Sequence, residues 1–265
     1  MMNYKELTNS VIKISKDAGQ LIRNNFGNIN SDKIQSKGLN DYVTEIDKSS
    51  EELIVKQLSK LVPEAGFIAE EGTSTKIGKD YNWIIDPLDG TTNFIHGIYP
   101  CAVSIALEYR NDIVLGVVYE IGLDECFYAW KDGGAYLNES PIKVSKTAKV
   151  KNSLIATGFP YHEFDRLDNY IDLLKYFTKN SKGVRRLGSA ATDIAYVACG
   201  RFDAFYEYDL KPYDVAAGSI ILSEAGGINA DFLGKSNYIF GKEIISSNLV
   251  IYDEFLKIIE KFMSI

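Results

Sequence analysis

Trp83-Ile84-Ile85-Asp86-Pro87-Leu88-Asp89-Gly90-Thr91-Thr92-Asn93-Phe94 is the stretch that organises this chain. Its opening, from Asn82 to Asp86, reads as an apolar strand. Pro87 keeps Asp86 out of helical geometry. Asp89 follows three residues after Asp86, and Gly90-Thr91-Thr92 opens a predicted helix. Two hard oxygen donors then stand beside backbone N–H groups that lack intrahelical partners. That arrangement suits a cation and a phosphate together. Taken singly, Asp-Pro and Asp-Gly are ordinary turn pairs, and Asp89 alone reads as a helix cap.

Three more acidic segments flank this one. Phe67-Ile68-Ala69-Glu70-Glu71-Gly72 places carboxylates just past a short strand, where a solvated charge is the common outcome. Lys211-Pro212-Tyr213-Asp214 puts Asp214 at a helix start, as an N-cap would be. Behind it runs Ala216-Ala217-Gly218, small enough for close backbone approach. In Asp41-Tyr42-Val43-Thr44-Glu45-Ile46-Asp47, Thr44 and Asp47 fit a capping box. The box also fixes where the Asp47 carboxylate points, as a proton acceptor near a hydroxyl requires.

The rest of the chain predicts a mixed α and β protein with layered sheets. Leu7, Val11, Ile14, Ala18, Leu21 and Ile22 recur at helical spacing over 4–26. Residues 30–43 read as a loop or loose hairpin, and a second helix is expected over 47–61, burying Ile46, Leu53, Ile54 and Leu58. Strands follow over 66–69, 82–86, 102–109, 113–120 and 125–130. The second half alternates: a strand at 154–157, a helix over 163–178, a short strand before Gly188, a helix over 189–199, a strand over 203–207 and a helix over 214–224. The 265 residues are read as one bilobal domain, with halves of about 1–148 and 149–265.

Composition narrows the function classes. The 29 basic and 36 acidic residues give a net charge of −7, which argues against nucleic-acid or anionic-membrane binding. Cys101, Cys126 and Cys199 are scattered and odd in number, so a disulfide framework or zinc site is not expected and a cytoplasmic location fits. With His96 and His162 as the only histidines, a His-rich metal site or phosphohistidine relay has little to work with. No signal peptide or membrane-spanning run is evident.

In order and over nearly the whole chain, the four acidic segments resemble the inositol monophosphatase family of magnesium-dependent, lithium-sensitive phosphatases. The strings Asp86–Phe94 and Tyr213–Gly218 carry most of that likeness, although the family usually has Trp where this chain has Tyr213. The resemblance implies a layered αβαβα sandwich, a homodimer, two to three Mg²⁺ ions and a small phosphorylated polyol substrate. It implies that Glu70, Asp86, the Leu88 carbonyl and Thr91 surround one ion, that Asp86, Asp89 and Asp214 hold a second, and that Glu70 reaches a weaker third. It further implies that Thr91 and Asp47 relay a proton from a water that Glu70 orients. Gly90 and Thr91 N–H groups would hold phosphate, and Asp89, Ala190 and Glu207 would meet the polyol. Lys37-Gly38 is expected on a loop over the site.

The metal core alone leaves other substrates open. Fructose-1,6-bisphosphatase, 3′,5′-bisphosphate nucleotidase and histidinol-phosphatase activities share it. A second phosphate needs extra cations, for which Arg166, Lys182, Arg185 and Arg186 are candidates. A regulatory binding role beside the activity is a further alternative.

Overall fold

The computed structural model describes residues 2–27, 34–38 and 41–264, with 34–38 and 41–43 described by their backbone alone. Five layers stack in the order α, β, α, β, α. Helices α1 (Tyr4–Asn25) and α2 (Glu45–Leu61) cover one face of a seven-stranded sheet. Its strands run β3 (Gly66–Ala69), β4 (Tyr81–Asp89), β5 (Ala102–Tyr109), β6 (Asp112–Glu120), β7 (Glu125–Trp130), β8 (Ala135–Leu137) and β9 (Ser140–Pro141). Only β3 and β4 are parallel; the rest is an antiparallel meander. Helices α5 (Ala190–Ala198) and α6 (Pro212–Glu224) fill the middle layer. Beyond them lies a five-stranded sheet in the order β11 (Gly183–Arg185), β10 (Leu154–Thr157), β12 (Ala204–Tyr208), β14 (Glu243–Asn248), β13 (Gly227–Ala230). Helices α4 (Leu167–Asn180) and α7 (Tyr252–Met263) close the outer face. A hairpin of β1 (Ile34–Gly38) and β2 (Asp41–Thr44) precedes α2, and α3 (Thr91–Ile95) follows β4.

Alternation along β5 explains the layering. Val103, Ile105 and Leu107 bury into the core under α1 and α2, whereas Ala102 and Ala106 face the middle helices. Small residues are needed on that second face because the middle helices pack closely. A Cβ on Gly116 would stand 2.7 Å from the Ala217 carbonyl oxygen, and one on Gly218 would stand 2.9 Å from the Ile194 Cβ. The Ala216-Ala217-Gly218 run therefore serves the approach of α6 to β6 and α5.

Several expectations are corrected in detail. Helix α4 begins at Leu167 rather than 163, and ahead of it the backbone N–H groups of residues 161–163 donate to the Asp209 carboxylate. Helix α6 begins at Pro212, so Asp214 is its third residue and not its N-cap; it accepts the Lys211 N–H at 2.6 Å. Strand β4 does not stop at Asp86 but runs through Pro87 to Asp89. All three cysteines are free thiols. Burial raises the pKa of each, consistent with small apolar packing. Among the described residues no helix is long and apolar enough to cross a membrane.

Candidate active site

The end of β4 decides which way the carboxylates face. In a regular strand, residues 86 and 89 would point to opposite sides of the sheet. Here Asp86 pairs with Ser104 and Asp89 with Ala102, so three steps of β4 oppose two of β5. This bulge restores Asp89 to the same face as Asp86. It is the face of the middle helices, where Ser104 Oγ donates to the Tyr213 carbonyl at 3.1 Å, one residue before Asp214. The Leu88 N–H then donates to Asp86 Oδ1 at 2.9 Å. Gly90 turns left-handed at φ +92°, and a Cβ there would lie 3.0 Å from the Pro100 carbonyl oxygen and 3.1 Å from that of Gly188.

Helix α2 braces this corner from the opposite side. The Thr44–Asp47 capping box is present, with the Thr44 N–H donating to Asp47 Oδ2 at 2.8 Å. The other oxygen, Oδ1, accepts the Thr91 hydroxyl at 2.8 Å, so the capping box and the contact with Thr91 use different oxygens. Thr91 Oγ1 also lies 3.0 Å from the Leu88 carbonyl oxygen, leaving its single proton a choice of two acceptors. Burial raises the Asp47 pKa, against the bonds from Thr44 and Thr91.

Ser50 and Glu51 share the face of α2 that carries Asp47, at helical spacing. Ser50 Oγ donates to the Pro87 carbonyl at 3.1 Å. The fully buried Glu51 carboxylate accepts the Glu71 and Thr73 N–H groups at 2.8 and 2.7 Å, fixing the loop after Glu70. The apolar pattern placed Ile46 and Leu53 on the buried face; both are only half-buried, and Ser50 and Glu51 lie inside. Replacing Glu51 by Gln leaves one of the two N–H groups facing an amide NH₂. We expect a loss of about 1–3 kcal/mol in stability and a kcat roughly tenfold lower as Glu70 shifts, measured by urea unfolding and steady-state turnover.

Two adjoining cavities open above these residues. One is lined by Glu70, Asp86, Leu88, Asp89, Gly90, Thr91 and Asp214. The other takes in Ala190, Asp193, Glu207 and Asp209, and shares Glu70, Asp89 and Asp214 with the first. Every residue singled out for metal or phosphate thus lines one cavity, and the polyol candidates Ala190 and Glu207 line its neighbour. Asp89 spans both. Its Oδ2 accepts the Ser189 hydroxyl at 2.7 Å and the Ala191 N–H at 2.8 Å, at the start of α5. The Ala190 N–H is also turned to Asp89.

The electrostatics of this set are those of like charges held out of water. Burial, then Glu70, Asp89 and Asp214, hold the Asp86 carboxyl well above the usual range, relieved only by the Leu88 N–H. Burial and Asp89 do the same to Asp214. Burial pushes Asp89 up to about 6 despite the Ser189, Ala191 and Ala190 donors. Among the described residues no three such side chains close into a ready coordination shell, and the four acids line the cavity without meeting at a point. Asp86, a buried carboxylate whose charged neighbours are all acidic, is nonetheless the donor that a hard divalent cation requires, and with Asp89, Asp214 and Glu70 beside it the residues fit magnesium.

The wall of the second cavity holds residues that the sequence reading passed over. Asp193 is 1% exposed, and its Oδ1 has no hydrogen-bond partner. Glu207 is raised by burial and then by Asp193. Gly158 packs on Glu207 so tightly that a Cβ would fall 2.0 Å from its Oε1. The Asp193 position had a usable signal, since a carboxylate within the largely apolar helix Ala190–Ala198 invites an explanation. The Lys37 side chain lies outside the described residues.

The inositol monophosphatase family profile matches residues 3–264. The chain belongs to the inositol monophosphatase family. It is 38% identical over 265 residues to a protein of Mesorhizobium japonicum named inositol-1-monophosphatase, covering 99% of each chain. It is 39% identical over 252 residues to a Neisseria meningitidis protein named putative Nus factor SuhB, covering 95% of this chain and 97% of that one. The crystal structure of the extragenic suppressor protein suhB from Bartonella henselae superposes with a TM-score of 0.92 at 37% identity, covering 97% of this chain and 99% of that one. The family fold implied by the acidic segments is therefore the fold of this chain. These relatives carry two kinds of name, inositol-1-monophosphatase and Nus factor SuhB.

Proposed function

We propose that this member of the family is a magnesium-dependent phosphatase that hydrolyses the monophosphate of a small polyol, with inositol monophosphate as the leading substrate. The observation that carries the reading is the grouping of Glu70, Asp86, Asp89 and Asp214 on one cavity beside the cavity of Glu207. Glu70, Asp86, the Leu88 carbonyl, Thr91, Asp89 and Asp214 would hold two to three Mg²⁺ ions. Bound there, magnesium supplies an acidified water and neutralises charge on the phosphoryl group. Thr91 Oγ1, hydrogen-bonded to Asp47 Oδ1, would take a proton from the attacking water as its own hydroxyl proton passes to the carboxylate. Glu70 orients the water, and the Gly90 and Thr91 N–H groups bind phosphate oxygens. Glu207 accepts from polyol hydroxyls, with Asp89 and the backbone at Ala190 beside it. Catalysis is positioning and electrostatics, with in-line attack by water.

The cation inventory favours one phosphate over two. Arg166 is paired with Glu243 at 2.8 Å and stacked on Tyr208. Arg185 turns to the neighbouring Val184 carbonyl. Of the four candidate cations only Arg186 lines the cavities, and on the polyol side Lys211 is outnumbered by the Asp193, Glu207 and Asp209 carboxylates. A second phosphate there meets like charge. A turnover panel with Mg²⁺ tests this: kcat/KM for inositol monophosphate is expected to exceed that for fructose 1,6-bisphosphate and adenosine 3′,5′-bisphosphate by roughly tenfold or more. A reversed order would sink the polyol-monophosphate reading. The names of the SuhB relatives favour a second, regulatory role with a protein partner in transcription, alongside the activity. A homodimer and a cytoplasmic location complete the proposal.

A further inference from the structure

Arg186 is an exposed guanidinium at the seam of the two cavities, lining both. Its surroundings are mainly acidic: Glu70, Asp89, Asp193, Glu207 and Asp214 line the same space, with Lys211 as the other cation. Yet the one side-chain hydrogen bond it makes among the described residues goes to a neutral group, from Nη2 to the Tyr161 hydroxyl at 3.1 Å. An arginine that faces so many carboxylates without pairing with any keeps most of its five donors available to a ligand.

The placement is built, not incidental. Gly188 is left-handed at φ +91°, and a Cβ on it would come within 2.9 Å of Arg186 Nη1. Glycine there leaves room for the guanidinium to lie over the chain, beside Gly90. Tyr161 is held from the other side. The Asp209 carboxylate accepts the N–H groups of Tyr161, His162 and Glu163 at 2.9, 2.7 and 3.2 Å, and Asp209 itself adopts φ +67° directly after β12. A line of contacts therefore runs from β12 through Asp209 to the 161–163 segment, to Tyr161, and on to Arg186.

We propose that Arg186, steadied by Tyr161, binds outer oxygens of the phosphoryl group undergoing transfer. This rests on the phosphatase reading and adds a residue to it. The ligand chemistry is a phosphate oxyanion, which a guanidinium meets through paired N–H donors. Arg186 is placed for this because the cavity that holds Gly90 and Thr91 also holds it, and because a dianion entering an acidic cavity needs a cation near its mouth as well as at its floor.

The test compares wild type, Arg186→Gln, Arg186→Lys and Tyr161→Phe as full chains with saturating Mg²⁺. Inorganic phosphate is the probe, read by calorimetric binding and as a competitive inhibitor of monophosphate turnover. Arg186→Gln is expected to weaken phosphate binding and raise KM together by roughly tenfold or more. Arg186→Lys recovers part of the loss, since an ammonium keeps the charge without the fork. Tyr161→Phe shifts both in the same direction by a smaller factor. The Mg²⁺ concentration for half-maximal activity stays within twofold. Phosphate affinity within twofold of wild type in Arg186→Gln overturns the proposal. So does a raised KM with unchanged phosphate affinity, which assigns Arg186 to the polyol, or a loss confined to bisphosphate substrates, which assigns it to a second phosphate. A wild-type protein that hydrolyses no phosphate ester removes the phosphatase reading itself, an outcome separate from these.

Discussion

Asp86→Asn lowers kcat by about three orders of magnitude or more and leaves the chain folded. Asp86 is 2% exposed, and the charged groups acting on it are Glu70, Asp89 and Asp214, all acidic. Its carboxylate is the donor that both proposed ion positions share, so its loss removes charge from each. The amide keeps the shape and can still accept the Leu88 N–H that Asp86 Oδ1 now accepts. The stability effect has a definite sign. A carboxyl whose pKa is raised by folding destabilises the fold once pH exceeds its unfolded value, because ionisation then costs more in the folded state. Neutral Asn removes that cost, so at pH 7 without added metal the variant melts at the same temperature as wild type or higher. In wild type, added Mg²⁺ raises the melting temperature, and in Asp86→Asn that rise shrinks. Turnover and thermal melts with and without Mg²⁺ check both halves. A variant that unfolds, or that keeps more than a tenth of wild-type kcat, contradicts the role.

Thr91→Val carries the second large effect. Thr91 Oγ1 stands 2.8 Å from Asp47 Oδ1, and the other Asp47 oxygen is committed to Thr44. The hydroxyl is thus the link between the proposed water site and a buried acceptor. Valine keeps the branched shape and removes the link. The expected loss in kcat is roughly 10²- to 10³-fold, with KM within about threefold because the N–H groups that face phosphate remain. Thr91→Ser restores most of the rate. Asp47→Asn costs a similar factor, and the double variant is little worse than either single one, as for two groups acting as a unit. Additive losses in the double variant argue against a shared path.

Local motifs were the legible part of this chain. The Thr44–Asp47 box and the Asp86–Asp89 string lie within a few residues, and their geometry follows from short-range sterics and capping. What sequence spacing obscured was which face they occupy. Asp86 and Asp89 stand at an odd separation, and only the bulge against Ser104 and Ala102 turns them to one side. Apolar periodicity misjudged α2 for a related reason: its buried face carries Asp47, Ser50 and Glu51, polar residues whose partners lie 20 to 44 residues away. Helix α4 was expected four residues early, and nothing local to 161–166 marks the Asp209 carboxylate, 46 to 48 residues away, that takes the N–H groups of residues 161–163. Tyr161 and Arg186 meet only through tertiary folding, 25 residues apart. Past Gly227 the chain carried no predicted element, yet it forms β13, β14 and α7 and closes the second sheet.

Anomalous diffraction from crystals grown with Mn²⁺ in place of Mg²⁺ tests the central claim most directly. At least two strong peaks are expected within coordination distance of carboxylate oxygens of Glu70, Asp86, Asp89 and Asp214, one of them also touching the Leu88 carbonyl. Peaks confined to other parts of the molecule, or carboxylates that remain without ligated metal at saturating Mn²⁺, contradict it.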